Sequence, residues 1–278
     1  MAETSGAFAS FEQKWLAAHP EYAAASVFLP PERRHAANAF GCLVHELDEA
    51  AVHVHDVQVA SAKLGWWRGE LISAAQGRAS HPITLELFRA PPPEATRHLW
   101  PELADASLAR LSAPPAATLA DLLGQHADFH RSVVRADASL SARTAEAADR
   151  DAVLWTISHL LRELPRIERD GESLPVPLDL LARHGLTRTG LRSPGARRTA
   201  LIRDYLEALA GAMPRDRGAN LHQRIRSRLD AALIAGAREA DEPLRHLLEH
   251  SQPGRWRSVW TAWREARALI DAEPRLSA

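Results

Sequence analysis

Apolar residues along the chain recur at spacings of three and four rather than two, and β-branched runs are short and rare. The pattern therefore predicts helices throughout and no sheet. Phe11, Trp15 and Leu16 mark a first short helix that Pro20 ends. A long helix follows over 31–52, with Pro30 and Pro31 at its start, where the missing N–H leaves no helical hydrogen bond unmade. The segment "DVQVASAKLGWWRGELISAAQG" places Val57, Leu64, Trp67 and Leu71 on one stripe and Gly77 at its stop. Further helices are expected at 94–111, 117–139, 143–164, 178–186, 197–213, 219–237, 243–250 and 255–270, separated by clusters such as "APPPE" and "SAPP". Residues 165–177, with three prolines and a glycine, read as a loop between helices. The connections are too short for flexible linkers. The expected architecture is a single all-α domain over 1–278, a bundle of about ten helices, with residues 1–27 as an N-terminal extension carrying one short helix.

Composition narrows the function classes. At 278 residues and 46% hydrophobic, the chain can bury a sizeable core. A formal charge of −1 supplies no field to gather nucleic acid, and no such partner is expected. No apolar run approaches the roughly 20 residues of a membrane span, and "MAETSGAFAS" lacks the basic start and apolar core of a signal peptide. The expected location is the cytoplasm, or the periphery of the inner membrane. The one cysteine, Cys42, sits among apolar residues and reads as core; it excludes an intrachain disulfide and any cysteine-based zinc cluster. Lys14 and Lys63 are the only lysines in a chain rich in arginine.

The stretch "HELDEAAV" at 45–52 places acids on a helix between apolar residues. His45, Glu49 and His53, at i, i+4 and i+8, share a helix face, with His55 and Asp56 just beyond, a spacing that could ligate zinc or iron; the competing reading is a polar helix face. Trp66 and Trp67 point about 100° apart on their helix, so only one of them, Trp67, belongs to the core stripe. Trp256, Trp260 and Trp263, at i, i+4 and i+7, form an aromatic stripe that reads first as core packing, and second, beside Arg255, Arg257, Arg264 and Arg267, as a partner or membrane surface.

The order of "FLPPERRHAANAF…HELDE", "AKLGWWRGEL", "HPITLEL" and "LLRELPRIERDGESLPVPLDLLARHGL" resembles the squalene/phytoene synthase family of head-to-head prenyl transferases, from about Phe28 to Leu186. Through "FGCLVHEL…WWRGEL" it is similar to the degraded branch of that family that includes a mitochondrial complex I assembly factor. The resemblance implies an isoprenoid-synthase-like helical bundle with a central cavity. It also implies two D-x-x-x-D motifs on opposing helices, holding magnesium ions that grip substrate diphosphates. Carboxylates four residues apart share a helix face, and hard magnesium takes oxygen ligands near octahedral geometry.

Counted from "FLPPERR", the first motif falls on Asp48-Glu49-Ala50-Ala51-Val52 and the second on Glu163-Leu164-Pro165-Arg166-Ile167. In both, the first acid survives as Asp48 or Glu163 and the acid four residues later has become aliphatic. Moving the first register gives Glu46 and Glu49 as an alternative pair; no such shift repairs the second. Asp48, Glu49 and Glu163 are thus metal ligands only if the site has been rebuilt, and otherwise solvated or ion-paired acids. By the resemblance, Arg34 sits where the family has a basic residue before its first motif and Arg162 is the arginine of its "LRD"; both could bind a substrate phosphate, against the alternative of capping or surface arginines.

The reading is a non-catalytic family member, without a cofactor, that binds isoprenoid or other lipid or assists assembly of a membrane complex. The alternative is a magnesium-dependent prenyl transferase condensing farnesyl or geranylgeranyl diphosphate with a rebuilt metal site. A metalloprotein using the histidine face is the third.

Overall fold

A computed structural model describes residues 2–140, 148–168, 175–215, 218, 220–252 and 254–272. Among these residues there is no strand, and the fold is all-α as the periodicity predicts. Thirteen α-helices are described: α1 (Ala2–Ala18), α2 (Pro20–Ser26), α3 (Pro31–Val52), α4 (Val57–Ala75), α5 (Pro82–Leu87), α6 (Leu99–Leu111), α7 (Leu119–Leu140), α8 (Ala148–Glu163), α9 (Leu178–Arg183), α10 (Ala196–Ala212), α11 (Leu221–Glu239), α12 (Pro243–His250) and α13 (Arg255–Ala272). The expected start of a helix at 143 and the middle of the 165–177 loop lie outside the described residues. The described helices group into two compact units, Met1–Ala113 with Asp128–Ala148, and Pro114–Ala127 with Asp149–Ala278.

In the first unit α3 packs against α1, α4, α5 and α6, and α4 lies along α6. The stripe Ala39, Leu43, Leu47 and Ala50 is buried, as are Leu64 and Leu71 of α4. Trp67 is buried and Trp66 half exposed, as their angular separation requires. Cys42 is buried, and burial together with the nearby Glu12 and Glu46 carboxylates pushes its thiol up to about 12.

The N-terminal segment is longer and better packed than the sequence suggests. Helix α1 begins at Ala2, and Pro20 both closes it and opens α2 at a first-turn position. Helix α1 packs on α3 and α5, with Phe8 and Trp15 buried. Close approach at Gly41 makes this possible: a Cβ there would stand 2.2 Å from Cζ2 of Trp15. The apolar face of α1 is incomplete by itself, so it was readable only in part without its neighbours.

In the second unit, Ile157, Leu160 and Leu161 of α8 meet Leu201, Tyr205 and Leu209 of α10 in one apolar cluster. The Tyr205 hydroxyl donates to the Pro175 carbonyl at 2.7 Å, satisfying its one buried polar atom. The backbone N–H groups of Leu178 and Asp179 donate to the carbonyls of Ala116 and Ala117, each at 3.0 Å, tying the start of α9 to the strand of chain before α7.

Helix α13 overturns the core reading of its tryptophans. Trp256, Trp260 and Trp263 are 86%, 60% and 40% exposed, whereas Ser258, Thr261, Ala262, Glu265 and Ala266 are buried. The inward face is small and polar because α11 supplies a matching charge pair. Arg224 Nε and Arg228 Nη1 donate to the two Glu265 carboxylate oxygens at 3.1 and 2.7 Å. Small residues let the two helices approach, and the paired guanidinium groups offset the burial of the acid.

Candidate functional site

The acids of "HELDEAAV" lie in the last two turns of α3, and each is already committed. Asp48 Oδ1 accepts from Arg110 Nη1 at 2.8 Å. Arg110 comes from the last turn of α6, its side chain is 6% exposed, and its guanidinium lies over the Phe129 ring, 4.9 Å from the centroid. A guanidinium therefore already supplies the positive charge at Asp48 Oδ1. Glu49 pairs along the helix with His53 at 3.4 Å. Val52 is half-buried in the final turn, followed by the His53 C-cap.

Glu46, the acid of the alternative register, is buried and receives both lysines of the chain, Lys14 Nζ at 2.6 Å and Lys63 Nζ at 3.0 Å. Burial pushes its carboxyl upward, but the two ammonium groups outweigh this and hold it below the usual carboxylate value.

The second pattern ends differently. After Glu163 the chain tightens into a 3-10 turn over Leu164–Glu168, because Pro165 cannot continue the helical ladder. The expected loop thus opens as a turn rather than as irregular chain. Arg166 comes back to 3.7 Å from Glu163. Ile167 is fully buried in the apolar cluster of the second unit. Arg162 is half-buried in the last turn of α8.

Arg34 is turned to its own backbone. Its Nε donates to the Leu29 carbonyl at 3.2 Å and its Nη2 to that of Val27 at 3.5 Å, which fixes the entry of the chain into α3.

The histidine face does not assemble. His45 meets the His19 ring edge to face at 5.5 Å, and His53 turns to Glu49. Asp56 caps α4, accepting from the N–H groups of Gln58 and Val59 at 2.8 and 3.2 Å. Among the described residues no group of three or more His, Cys, Asp or Glu side chains is placed to hold a metal ion. The magnesium pattern fares no better by its donor set: Asp48 faces a guanidinium, Glu46 two ammonium groups and Glu163 an arginine, while Val52 and Ile167 offer no oxygen. These side chains do not fit a D-x-x-x-D magnesium site.

The residues that carry the family-like ordering around "WWRGEL" and "HP" have a structural task. Glu70 of α4 reaches the start of α5. It accepts from the Ser80 and His81 N–H groups at 2.8 and 2.9 Å and from the Ser80 and Thr84 hydroxyls at 2.5 Å. Burial raises its carboxyl, yet these hydrogen bonds prevail and hold it at about 2. His81 caps the same helix, its Nδ1 accepting from Ile83 N–H at 3.2 Å, with Phe11 and Trp67 rings 4.9 and 4.7 Å away. Burial lowers its pKa, in keeping with a neutral ring that accepts at Nδ1.

In the second unit a cleft of about 430 Å³ is lined by Arg203, Asp204, Glu207, Ala235, Arg238 and Glu239. It is charged rather than apolar, and its groups are paired: Arg238 with Glu207, Asp204 with His184 at 2.9 Å, and Arg203 with the Ala240 carbonyl at 2.8 Å.

The described residues form helices alone, and solved structures share that all-α, isoprenoid-synthase-like fold. A dehydrosqualene synthase in complex with ligand matches with a TM-score of 0.70 and 16% identity, over 97% of this chain and 99% of that one. Squalene synthase HpnC from Alicyclobacillus acidocaldarius matches with a TM-score of 0.55 and 18% identity, over 96% of each chain. The sequence profile of the squalene/phytoene synthase family matches residues 17–264, across both units, and the chain belongs to that family. No curated protein matches it.

Sequence reasoning missed Arg110, Glu70 and the destination of the lysines. Arg110 is one arginine among many, 62 residues from Asp48, and nothing local marks it. The lysines did carry a signal: two in 278 residues is few enough to ask what each one meets.

Proposed function

We propose that this chain is a non-catalytic squalene/phytoene synthase-like protein. In this reading it binds neutral isoprenoids or other lipids without magnesium, or lends that binding to the assembly of a membrane complex. The observation that carries the reading is the Asp48–Arg110 pair: a buried guanidinium stacked on Phe129 stands 2.8 Å from the one acid that survives in the first motif. Its charge opposes a second cation at the same carboxylate, and evicting it would strand a buried charge. The aliphatic Val52 and Ile167 support the same conclusion, since neither offers an oxygen to a magnesium ion that would grip a diphosphate.

The test is to incubate the purified protein with farnesyl or geranylgeranyl diphosphate and magnesium, extract with solvent and look for prenyl products. A competition assay with a fluorescent lipid then compares prenyl alcohol with prenyl diphosphate. The expected result is no product and an alcohol that competes at least as well as the diphosphate. A second reading, a head-to-head prenyl transferase with a rebuilt metal site, draws on the family match and the likeness to two synthases over nearly the whole chain. Prenyl product, or a diphosphate that wins only with magnesium present, would establish that second reading in place of the first.

A further inference from the structure

The outward face of α13 is not explained by packing or by any family chemistry, and it is built in one piece. At 100° per residue, Trp256, Trp260, Trp263 and Arg267 fall within about 60° of one another, with Arg257 and Arg264 along one edge and Val259 along the other. The three indoles span about 10 Å of helix axis. Trp260 and Trp263 stack with centroids 5.0 Å apart, and the Arg267 guanidinium lies 5.7 Å from the Trp263 ring centroid. The face cannot turn inward at small cost, because the opposite side is fastened through Glu265 to Arg224 and Arg228.

We propose that this face is an interfacial membrane-docking surface that lies parallel to, and selects, an anionic phospholipid bilayer. Charge complementarity identifies the occupant. Among the described side chains of α13 the only acid, Glu265, is buried and paired on the inward side, so the described side chains of the outward face include arginines and no carboxylate. Tryptophan is the side chain whose ring settles at the level of lipid headgroups, and arginines at the edges of a narrow aromatic arc reach the phosphates. A second copy of the chain is a poor occupant, since a two-fold pairing of this face would set its arginines against their own copies. No described helix is long and apolar enough to cross a membrane, so the contact is peripheral. The inference does not rest on the proposed lipid-binding role of the bundle, and its failure would leave that reading untouched.

The experiment is vesicle co-sedimentation of the full chain with phosphatidylcholine alone and with an equal mixture of phosphatidylcholine and phosphatidylglycerol. The protein is expected to pellet with the mixed vesicles, and high salt to release it. Trp256→Ser with Trp260→Ser should abolish pelleting while leaving the melting temperature unchanged, because both rings are exposed. Arg264→Gln with Arg267→Gln should weaken binding by about tenfold or more. A wild-type chain that stays in the supernatant with both vesicle types overturns the proposal, as does a tryptophan double variant that pellets as well as wild type. Sedimentation velocity supplies the remaining check: a wild-type dimer that the tryptophan variant dissolves, without vesicle binding, would make the face a contact between copies.

Discussion

The two places where the family's acid pattern falls have lost it in physically different ways. On α3 the helix is intact, and the surviving acids are held by partners distant in sequence, Arg110 for Asp48 and Lys14 with Lys63 for Glu46. At the end of α8 the backbone differs from that of α3: Pro165 ends the helix, Glu163 pairs with its neighbour Arg166, and Ile167 is core. At the first place cations pair with the acids on a continuous helix; at the second the helix itself stops. The difference teaches that a missing acid can leave one position open to its return and the other closed to it.

Restoring the missing acid at each place gives the largest contrast. Ile167→Asp should destabilise the protein by at least about 4 kcal/mol, because an aspartate would be buried without a partner. Val52→Asp, in a half-buried last turn, should cost about 1 kcal/mol or less, the size of an unfavourable helix-dipole contact. Urea denaturation of the two variants measures both, and equal losses would erase the distinction.

The next effect concerns the partners of Glu46. Lys14→Met with Lys63→Met leaves its buried carboxylate unmatched and should cost about 2–3 kcal/mol, discounted from a fully buried pair because both lysines are partly exposed. Each single change should cost under about 1 kcal/mol, since the other ammonium remains, so the two effects should be strongly non-additive. Adding Glu46→Gln should recover most of the loss.

Glu70 shows a third way to hold a buried carboxylate, by hydrogen bonds alone. Its folded pKa of about 2 lies below the unfolded value, so its contribution is fully present above about pH 4.5 and is lost as pH falls toward 2. Glu70→Gln should therefore lower stability by about 2 kcal/mol at neutral pH. The gap from wild type should close between pH 4.5 and 2. A gap that stays constant across that window would mean that shape, not charge, holds the start of α5.

The smallest effect is expected from the Glu163–Arg166 pair. Arg166→Met should cost at most about 1 kcal/mol, because the arginine is a third exposed and its 3.7 Å contact is longer than a hydrogen bond. A larger loss would mean that this ion pair, rather than the buried Ile167, secures the turn.

Much of this molecule was legible in its sequence. Helical period is a local property, so the span of α3 over 31–52, the Asp56 start and Gly77 stop of α4, and the split between Trp66 and Trp67 could all be read from neighbours three and four residues apart. The missing acids at Val52 and Ile167, and the proline that interrupts the second motif, are chemical identities and needed no structure. Partner choice did need it. Arg110 is indistinguishable from other arginines until packing brings α6 beside α3, and Lys14 meets Glu46 only because Gly41 leaves room for Trp15 and so for α1. The orientation of α13 was also beyond periodicity, which reports that a helix has two unlike faces but not which one is buried. The aromatic face was the natural choice for the core, and a buried carboxylate held by two arginines on α11 decided the other way.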